Sequence, residues 1–175
     1  MTVFRYALSL LLVALVLVLT VPVNAEEEQD GDEKLRLIVS TTQIYDFARQ
    51  VVGDRCEVEC ILEAGANPHS YKPTPGDARR VIASDICFEN GLHLEGYNWM
   101  ATLAQDAGKP IVTCTNGIEP LELDYDGKKV SDPHAWFSPK SAAVYVNNIA
   151  RAMIKFDPDG EEQYKLRASM YLQQL

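Results

Sequence analysis

Two short segments of the chain place a histidine directly after a proline, and they carry most of the chemical information in the sequence. They are Asn67-Pro68-His69-Ser70-Tyr71 and Asp132-Pro133-His134-Ala135-Trp136. Imidazole is the commonest protein ligand for borderline transition metals, and a preceding proline restricts the backbone and helps to hold a loop ligand still. The repeated pattern predicts that His69 and His134 meet at one metal ion.

A complete metal site needs more ligands, because two imidazoles supply only half of a tetrahedral zinc site. Four carboxylates are candidates, although none has a convincing local spacing: Glu63, Asp77, Glu95 and Asp132. Local zinc motifs such as HExxH do not occur. The sequence leaves two roles open for Asp132, which either orients His134 through its second ring nitrogen or forms a turn with Pro133.

The remaining residues near these segments have simpler readings. Tyr71 and Trp136 either pack beside their histidines or serve as ordinary core aromatics, and both roles can hold together. The third histidine, His93, lies in a different setting at the start of a predicted helix, so we expect it to have no metal role.

Short apolar strands alternate with amphipathic helices from residue 35 onward. Strands are predicted at 35–40, 58–62, 85–89 and 110–114, with helices at 41–52, from 75, at 94–107, from 139 and from 159. This alternation predicts an α/β fold with a parallel sheet of about four strands flanked by helices. Sites in such sheets gather at the carboxyl ends of the strands, and His69 follows the second strand. Residues 116–131 are predicted to form a loop.

The first residues of the chain suggest that the protein is exported. Residues 1–25 carry one charge, Arg5, followed by an apolar run and small residues before Glu26, which predicts a signal peptide; the alternative is an uncleaved membrane anchor. Residues 26–34 read as a disordered acidic lead. No cysteine in or just after the apolar run offers a lipid attachment site, so we expect a periplasmic or extracellular product.

Charge and cysteine content narrow the class of protein further. Without the leader the net charge is −10, which argues against nucleic acid or an anionic membrane as a partner. Export would permit disulfides among Cys56, Cys60, Cys87 and Cys114. Cys87 and Cys114 fall in strands that can be neighbours, so they either form a bridge or remain buried free thiols. Nucleophile, P-loop and dinucleotide motifs do not occur, so we expect no enzyme activity.

Three stretches together are similar to a known family. GANPHSYKPTPGD, ICFENGLHLEGY and DPHAWFSPKSAAVYVNNIARAM resemble the metal-binding solute receptors of bacterial zinc and manganese ABC importers, the TroA-like or cluster A-I group. The resemblance runs from about residue 35 to residue 175. It implies two α/β lobes joined by one long helix, with the metal between them. Each lobe gives two ligands, and the two histidines of the first lobe match His69 and His134.

The resemblance also implies a domain plan. Residues 35–157 correspond to the amino-terminal metal-binding lobe, and residues 158–175 to the start of the helix between lobes. The other two ligands, a His or Glu and an Asp, belong to a second lobe, and we expect the chain to be a truncated form without it.

The function implied is capture of a divalent transition metal and its delivery to an ABC permease by a monomeric receptor. Zinc-specific members often carry a histidine-rich loop before the second Pro-His segment. Residues 116–131 are short and contain no histidine, so manganese is favoured, with zinc close behind. Two alternatives remain: a surface adhesin of the same family, and a secreted metal-dependent hydrolase.

Overall fold

The computed structural model describes residues 34–175. The predicted signal peptide (1–25) and nearly all of the acidic lead lie outside the described residues. The strands are β1 Leu35–Val39, β2 Cys56–Cys60, β3 Ile86–Glu89, β4 Ile111–Thr113, β5 Glu122–Tyr125 and β6 Lys128–Ser131. The helices are α1 Thr42–Val52, α2 Pro75–Ile82, α3 Trp99–Asp106, α4 Pro139–Phe156 and α5 Glu161–Leu172.

Four of the strands form one parallel sheet in the order β2-β1-β3-β4. Side chains alternate across β1, so that Leu37 and Val39 face one core cluster and Ile38 faces the other. The first cluster contains buried residues of α1, α4 and α5, and the second contains residues of α2 and α3. Helices therefore cover both faces of the sheet, which confirms the predicted α/β fold.

Local sequence features explain where two of the helices begin or end. Helix α1 buries Ile44, Phe47, Ala48, Val51 and Val52, the predicted apolar face, and Gly53 ends the helix with a φ of 57°. Helix α2 starts at a capping box in which Thr74 and Asp77 bond each other's backbone N–H groups, and Pro75 occupies the first turn. These two helices follow β1 and β2 and so frame the carboxyl edge of the sheet.

Two predictions about strands were wrong. The second strand lies two residues earlier than predicted, because β2 pairs with β1 from Leu35↔Cys56 to Val39↔Cys60 at the edge of the sheet, where glutamates tolerate exposure. The predicted loop at 116–131 contains an antiparallel hairpin, β5–β6. Its turn is Asp126-Gly127, with φ angles of 55° and 76°, and the Asp-Gly pair was the signal that should have identified it.

The β5–β6 hairpin is separate from the four-stranded sheet, and its two ends lie close together. The backbone N–H of Asp132 donates to the carbonyl of Leu121 at 2.7 Å, so the two ends of the hairpin meet. Asn90, which directly follows β3, donates from its Nδ2 to the carbonyl of Pro133 at 3.1 Å, so the segment containing His134 lies at the carboxyl edge of the sheet. This path brings a residue far along the chain to the same edge of the sheet as His69.

The helix predicted over 94–107 begins only at Trp99. Before it, Leu92, His93, Tyr97 and Asn98 have φ angles of 53°, 63°, 59° and 53°. Left-handed conformations are uncommon for residues other than glycine and persist only where the surroundings hold them. The apolar periodicity did not reveal this irregular stretch.

All four cysteines are free thiols. Cys87 lies in one core cluster and Cys114 in the other, so the sheet separates them and the bridge considered from the sequence does not form. Burial raises the pKa of both thiols. Of the two readings, the buried free thiol is correct.

Helix α5 packs on α1 and α4, and Tyr164 and Ala168 are its buried residues. Arg55 binds the carboxylate of Asp157 through two nitrogens, at 2.5 and 2.8 Å, and Tyr164 donates a hydrogen bond to the same carboxylate. These contacts fix the turn between α4 and α5. Among the helices of residues 34–175, none has both the length and the apolar character that a membrane span requires.

Candidate metal centre

The two histidine rings meet at the carboxyl edge of the sheet. The Nε2 atoms of His69 and His134 lie 3.3 Å apart, and the ring centroids lie 5.4 Å apart at an interplanar angle of 66°. The two residues are 65 positions apart in the sequence. The structure thus brings together the pair that the sequence pattern singled out.

Each Pro-His segment folds into the same local turn. The side-chain oxygen of Asn67 accepts a hydrogen bond from the backbone N–H of His69, at 2.9 Å. Asp132 accepts one from the backbone N–H of His134, also at 2.9 Å. Asn and Asp commonly bond the backbone two residues ahead, and proline between the two residues favours the turn. The residue two places before each histidine therefore shapes its loop.

Asp132 also contacts the ring of His134. Its Oδ1 lies 2.7 Å from Nδ1, which donates the hydrogen bond in the tautomer that leaves the lone pair on Nε2. Hydrogen bonds from the backbone and the ring of His134 lower the pKa of Asp132. Both roles considered for Asp132, turn former and ring partner, are combined in one side chain.

The two aromatic residues after the histidines behave differently. Trp136 packs edge-on against His134, with centroids 5.3 Å apart and an interplanar angle of 76°. Tyr71 packs instead on Trp99, at 5.1 Å, and donates a hydrogen bond to Asp77 at 2.8 Å. The idea that Tyr71 lies beside its histidine is therefore replaced by a contact with helix α3.

The other candidate carboxylates are engaged elsewhere or lie at the rim. Asp77 is buried and receives hydrogen bonds from Tyr71, Thr74 and Arg80. Burial tends to raise the pKa of Asp77, but these hydrogen bonds outweigh it and lower the pKa. Glu95 is buried and bound by three donors, whereas Glu63 lines the same cleft as the histidines. Within residues 34–175, no three His, Cys, Asp or Glu side chains gather into a metal-binding group.

A cleft of about 280 Å³ opens onto the two histidines and the ends of β1 and β2. Thr41, which lines it, is 3% exposed, and its hydroxyl is the one buried side-chain polar atom without a hydrogen-bond partner in the described part of the chain.

A larger cleft, about 450 Å³, lies along β2. Its charges are already paired, Arg36 with Glu57 and Arg80 with Glu59, so it offers no free ligand set.

The separation of the two nitrogens suits a shared cation. Zn–N distances of about 2.0–2.1 Å at a tetrahedral angle put two ligand nitrogens about 3.3–3.4 Å apart. The observed 3.3 Å matches this value. Without a cation the same distance allows a long N–H···N hydrogen bond between the two rings.

Sequence reasoning missed several residues that touch the two loops. Asn90 and Trp99 donate hydrogen bonds to the carbonyl oxygens of Pro133 and Pro68, at 3.1 and 3.0 Å. Gly96 approaches the backbone of His69 so closely that an added Cβ would lie 2.1 Å from its carbonyl oxygen. No local motif marks these contacts, because they join segments remote in sequence. His93 is exposed on the turn before Gly96 and outside the cleft.

Comparison with known proteins points to one family. The sequence model described as zinc-uptake complex component A, periplasmic (ZnuA), matches residues 37–175. The metal ABC transporter substrate-binding lipoprotein SsaB of Streptococcus sanguinis is 30% identical over 175 residues, covering 96% of this chain and 56% of that protein. The iron-binding protein YfeA of Yersinia pestis is 33% identical over 150 residues, covering 83% and 47%.

Solved structures give the same result. The Mn-bound periplasmic metal-binding protein from Candidatus Liberibacter asiaticus superposes with a TM-score of 0.73 and 32% identity, covering 81% of this chain and 53% of that chain. The chain thus spans about half the length of the relatives it matches.

Proposed function

Because the chain belongs to the family of the periplasmic zinc-uptake complex component A, we propose that it captures a divalent transition metal outside the cytoplasm and delivers it to an ABC importer. His69 and His134 are the proposed ligands. The observation that carries the proposal is the 3.3 Å separation of their Nε2 atoms. In this proposal the metal is the transported ligand, and the protein makes or breaks no covalent bond.

Two imidazoles alone would bind a metal weakly and exchange it rapidly. We propose that the other ligands come from a second lobe, as in the family, and that residues 158–175 begin the helix that connects to it. This is supported by the match to about half of each relative and by the packing of α5 on the first lobe. Opening of the two lobes would then separate the ligands and release the metal.

Manganese is the favoured cargo, with zinc close behind. Relatives are named for different metals, including iron for YfeA and zinc for the family itself, so the family alone does not select one. The segment before the second Pro-His turn forms a short hairpin without histidine. Intrinsic affinity favours zinc over manganese, so selection of manganese would depend on oxygen ligands and geometry.

Location outside the cytoplasm is supported by the apolar leader and by two of the relatives, SsaB, which is named a lipoprotein, and the Liberibacter protein, which is named periplasmic. SsaB is named a lipoprotein, whereas the first cysteine of this chain is Cys56, so we propose export without a lipid on a leader cysteine. The compared relatives are named as metal-transport or metal-binding proteins, and nothing in the site favours the hydrolase or adhesin alternatives.

Calorimetric titration of the chain with Zn²⁺ and Mn²⁺ tests the proposal. We expect weak but saturable binding of one ion, which is lost in His69→Ala and in His134→Ala. His93→Ala is the matched control and should bind like the wild type. Unchanged binding in both site variants would refute the ligand assignment, and loss of binding in His93→Ala would place the ion elsewhere.

A further inference from the structure

We propose that residues 90–99 form a positioning segment that fixes the distance between the two imidazoles by holding both Pro-His loops at once. The inference rests on the proposed function, because it concerns how that site is built. Neither histidine belongs to this segment, and nothing in the Pro-His motifs points to it. Its contacts with the two loops carry the case.

The first end of the segment holds the His134 loop. The Nδ2 of Asn90 donates to the carbonyl oxygen of Pro133, the residue directly before His134, at 3.1 Å. Asn90 is fully buried, and its side-chain oxygen accepts a hydrogen bond from Tyr145. Its backbone carbonyl accepts one from Thr115 at 2.6 Å. The Asn90 amide is therefore held in a single orientation while it bonds the loop.

The other end holds the His69 loop. The Nε1 of Trp99 donates to the carbonyl oxygen of Pro68, the residue directly before His69, at 3.0 Å. Trp99 is 4% exposed, so its indole N–H is directed at this carbonyl from within the core. Gly96 supplies a second contact, since a Cβ there would overlap the carbonyl oxygen of His69. The equivalent carbonyl of each Pro-His pair thus receives one N–H from the same segment.

A buried carboxylate fastens the segment to the sheet. Glu95 accepts hydrogen bonds from the hydroxyl of Ser40 at 2.6 Å and from the backbone N–H groups of Asn90 and Gly91 at 2.7 and 3.1 Å. Ser40 directly follows β1, and Asn90 directly follows β3. The two central strands therefore carry the segment, and a buried network with every partner satisfied is rigid.

The backbone of the segment agrees with such a role. It contains four of the five non-glycine residues with positive φ in the described chain. Such conformations persist where the surroundings over-determine them, and they cluster at ligand sites. The segment leaves β3 at Asn90 and enters α3 at Trp99, so its two ends contact different loops.

Variants that remove one contact each test the proposal. Trp99→Phe deletes the indole donor to Pro68 and keeps a buried aromatic ring. Asn90→Leu deletes the donor to Pro133 and keeps the branched shape and the number of side-chain heavy atoms. Asn148→Leu is the matched control, because Asn148 is also a buried asparagine whose Nδ2 donates to two backbone carbonyls, those of Cys114 and Asn116, and neither lies in a Pro-His loop.

Two readouts on the full chain separate positioning from function. The first is the long-range ¹H–¹⁵N spectrum of the histidine rings without metal, with signals assigned by the His→Ala variants. We expect Trp99→Phe to shift the ring signals of His69 and Asn90→Leu to shift those of His134. The second is Zn²⁺ affinity, which should fall about 10-fold in each, the lower end of the effect of residues that orient ligands. The control should leave both readouts unchanged.

The outcomes are distinct. Ring signals that stay at wild-type positions in Trp99→Phe and Asn90→Leu would overturn the positioning role, whether or not zinc binds. Equal shifts in Asn148→Leu would also overturn it, by assigning the effect to general loss of packing. Wild-type protein that binds no zinc, with ring signals that still shift as expected, would refute the proposed function and leave the positioning role intact.

Discussion

The two Pro-His loops share a sequence pattern and a backbone turn but differ in how their rings are held. Asp132 bonds both the backbone and the ring of His134, and Trp136 packs edge-on against that ring. Asn67 bonds the backbone of His69, which is exposed, and Tyr71 packs on Trp99. One imidazole is thus oriented by its own loop, and the other depends on contacts with its backbone.

The difference shows what a repeated motif encodes. An Asn or Asp two residues before the histidine is enough to form the turn. Orientation of the ring requires a carboxylate that reaches Nδ1 and an aromatic neighbour that turns toward the ring, and these depend on the surroundings. We infer that the His134 ring is held by contacts within its own loop, whereas the His69 ring is positioned through its backbone.

Loss of either ring should have the largest effect. His69→Ala and His134→Ala should each lower Zn²⁺ affinity by more than about 100-fold, because a lost ligand costs more than a lost orienting partner, which typically costs ~10–100-fold. Competition titration with a chromophoric chelator measures both. Near wild-type affinity in either variant would show that the histidine of that loop is not a zinc ligand.

Asp132→Asn should have the next largest effect. The amide can still accept the backbone N–H of His134, but it loses the charge that favours the Nδ1–H tautomer, so zinc affinity should fall about 10-fold. The reciprocal change, Asn67→Asp, leaves the turn of His69 in place and serves as control. An equal loss in both variants would contradict the asymmetry between the loops.

Asn67→Ala should have a smaller effect. It removes a hydrogen bond to the backbone of His69, a contact that is worth about 1 kcal/mol, so affinity should fall about 5-fold. The same titration measures it, and Asn116→Ala is a control on an exposed loop asparagine. A loss larger than that of Asp132→Asn would mean that the turn matters more than ring orientation.

Asp77→Asn should act on stability and hardly on metal binding. Asp77 is part of the capping box of α2 and accepts a hydrogen bond from the hydroxyl of Tyr71. Its replacement should therefore lower the free energy of unfolding by about 1 kcal/mol, as measured by urea denaturation at neutral pH. The pKa of Asp77 is lowered below 3.8 in the folded state, so this contribution is present above that pH and is lost as pH falls through the folded pKa. The difference between wild type and variant should therefore shrink in acid.

A stability difference that stayed constant from neutral pH into acid would contradict the role assigned to the ionised carboxylate. A loss of zinc affinity as large as that of Asp132→Asn would show that Tyr71 supports the ring of His69 after all.

Most of the fold could be predicted from the sequence because its signals are local. Apolar runs marked the four strands, the period of α1 marked its buried face, and Thr74-Pro75 marked the start of α2. The β5–β6 hairpin was missed because its strands are exposed and lack an apolar pattern, and only Asp126-Gly127 marked its turn.

The candidate site was predictable in part for the same reason. The Pro-His repeat pointed to His69 and His134. The position two residues before His134 pointed to Asp132. Contacts made by Asn90, Glu95 and Trp99 join segments that are distant in sequence, and the positive φ angles before Trp99 are imposed by that packing. A single sequence contains no local signal for such contacts.

X-ray absorption at the zinc edge of the loaded chain tests most directly whether both rings bind one ion. We expect two imidazole nitrogens in the inner coordination shell at about 2.0–2.1 Å, falling to one or to no bound zinc in His69→Ala and in His134→Ala. A shell with fewer than two imidazoles in the wild type, or one that neither substitution changes, would contradict the shared site.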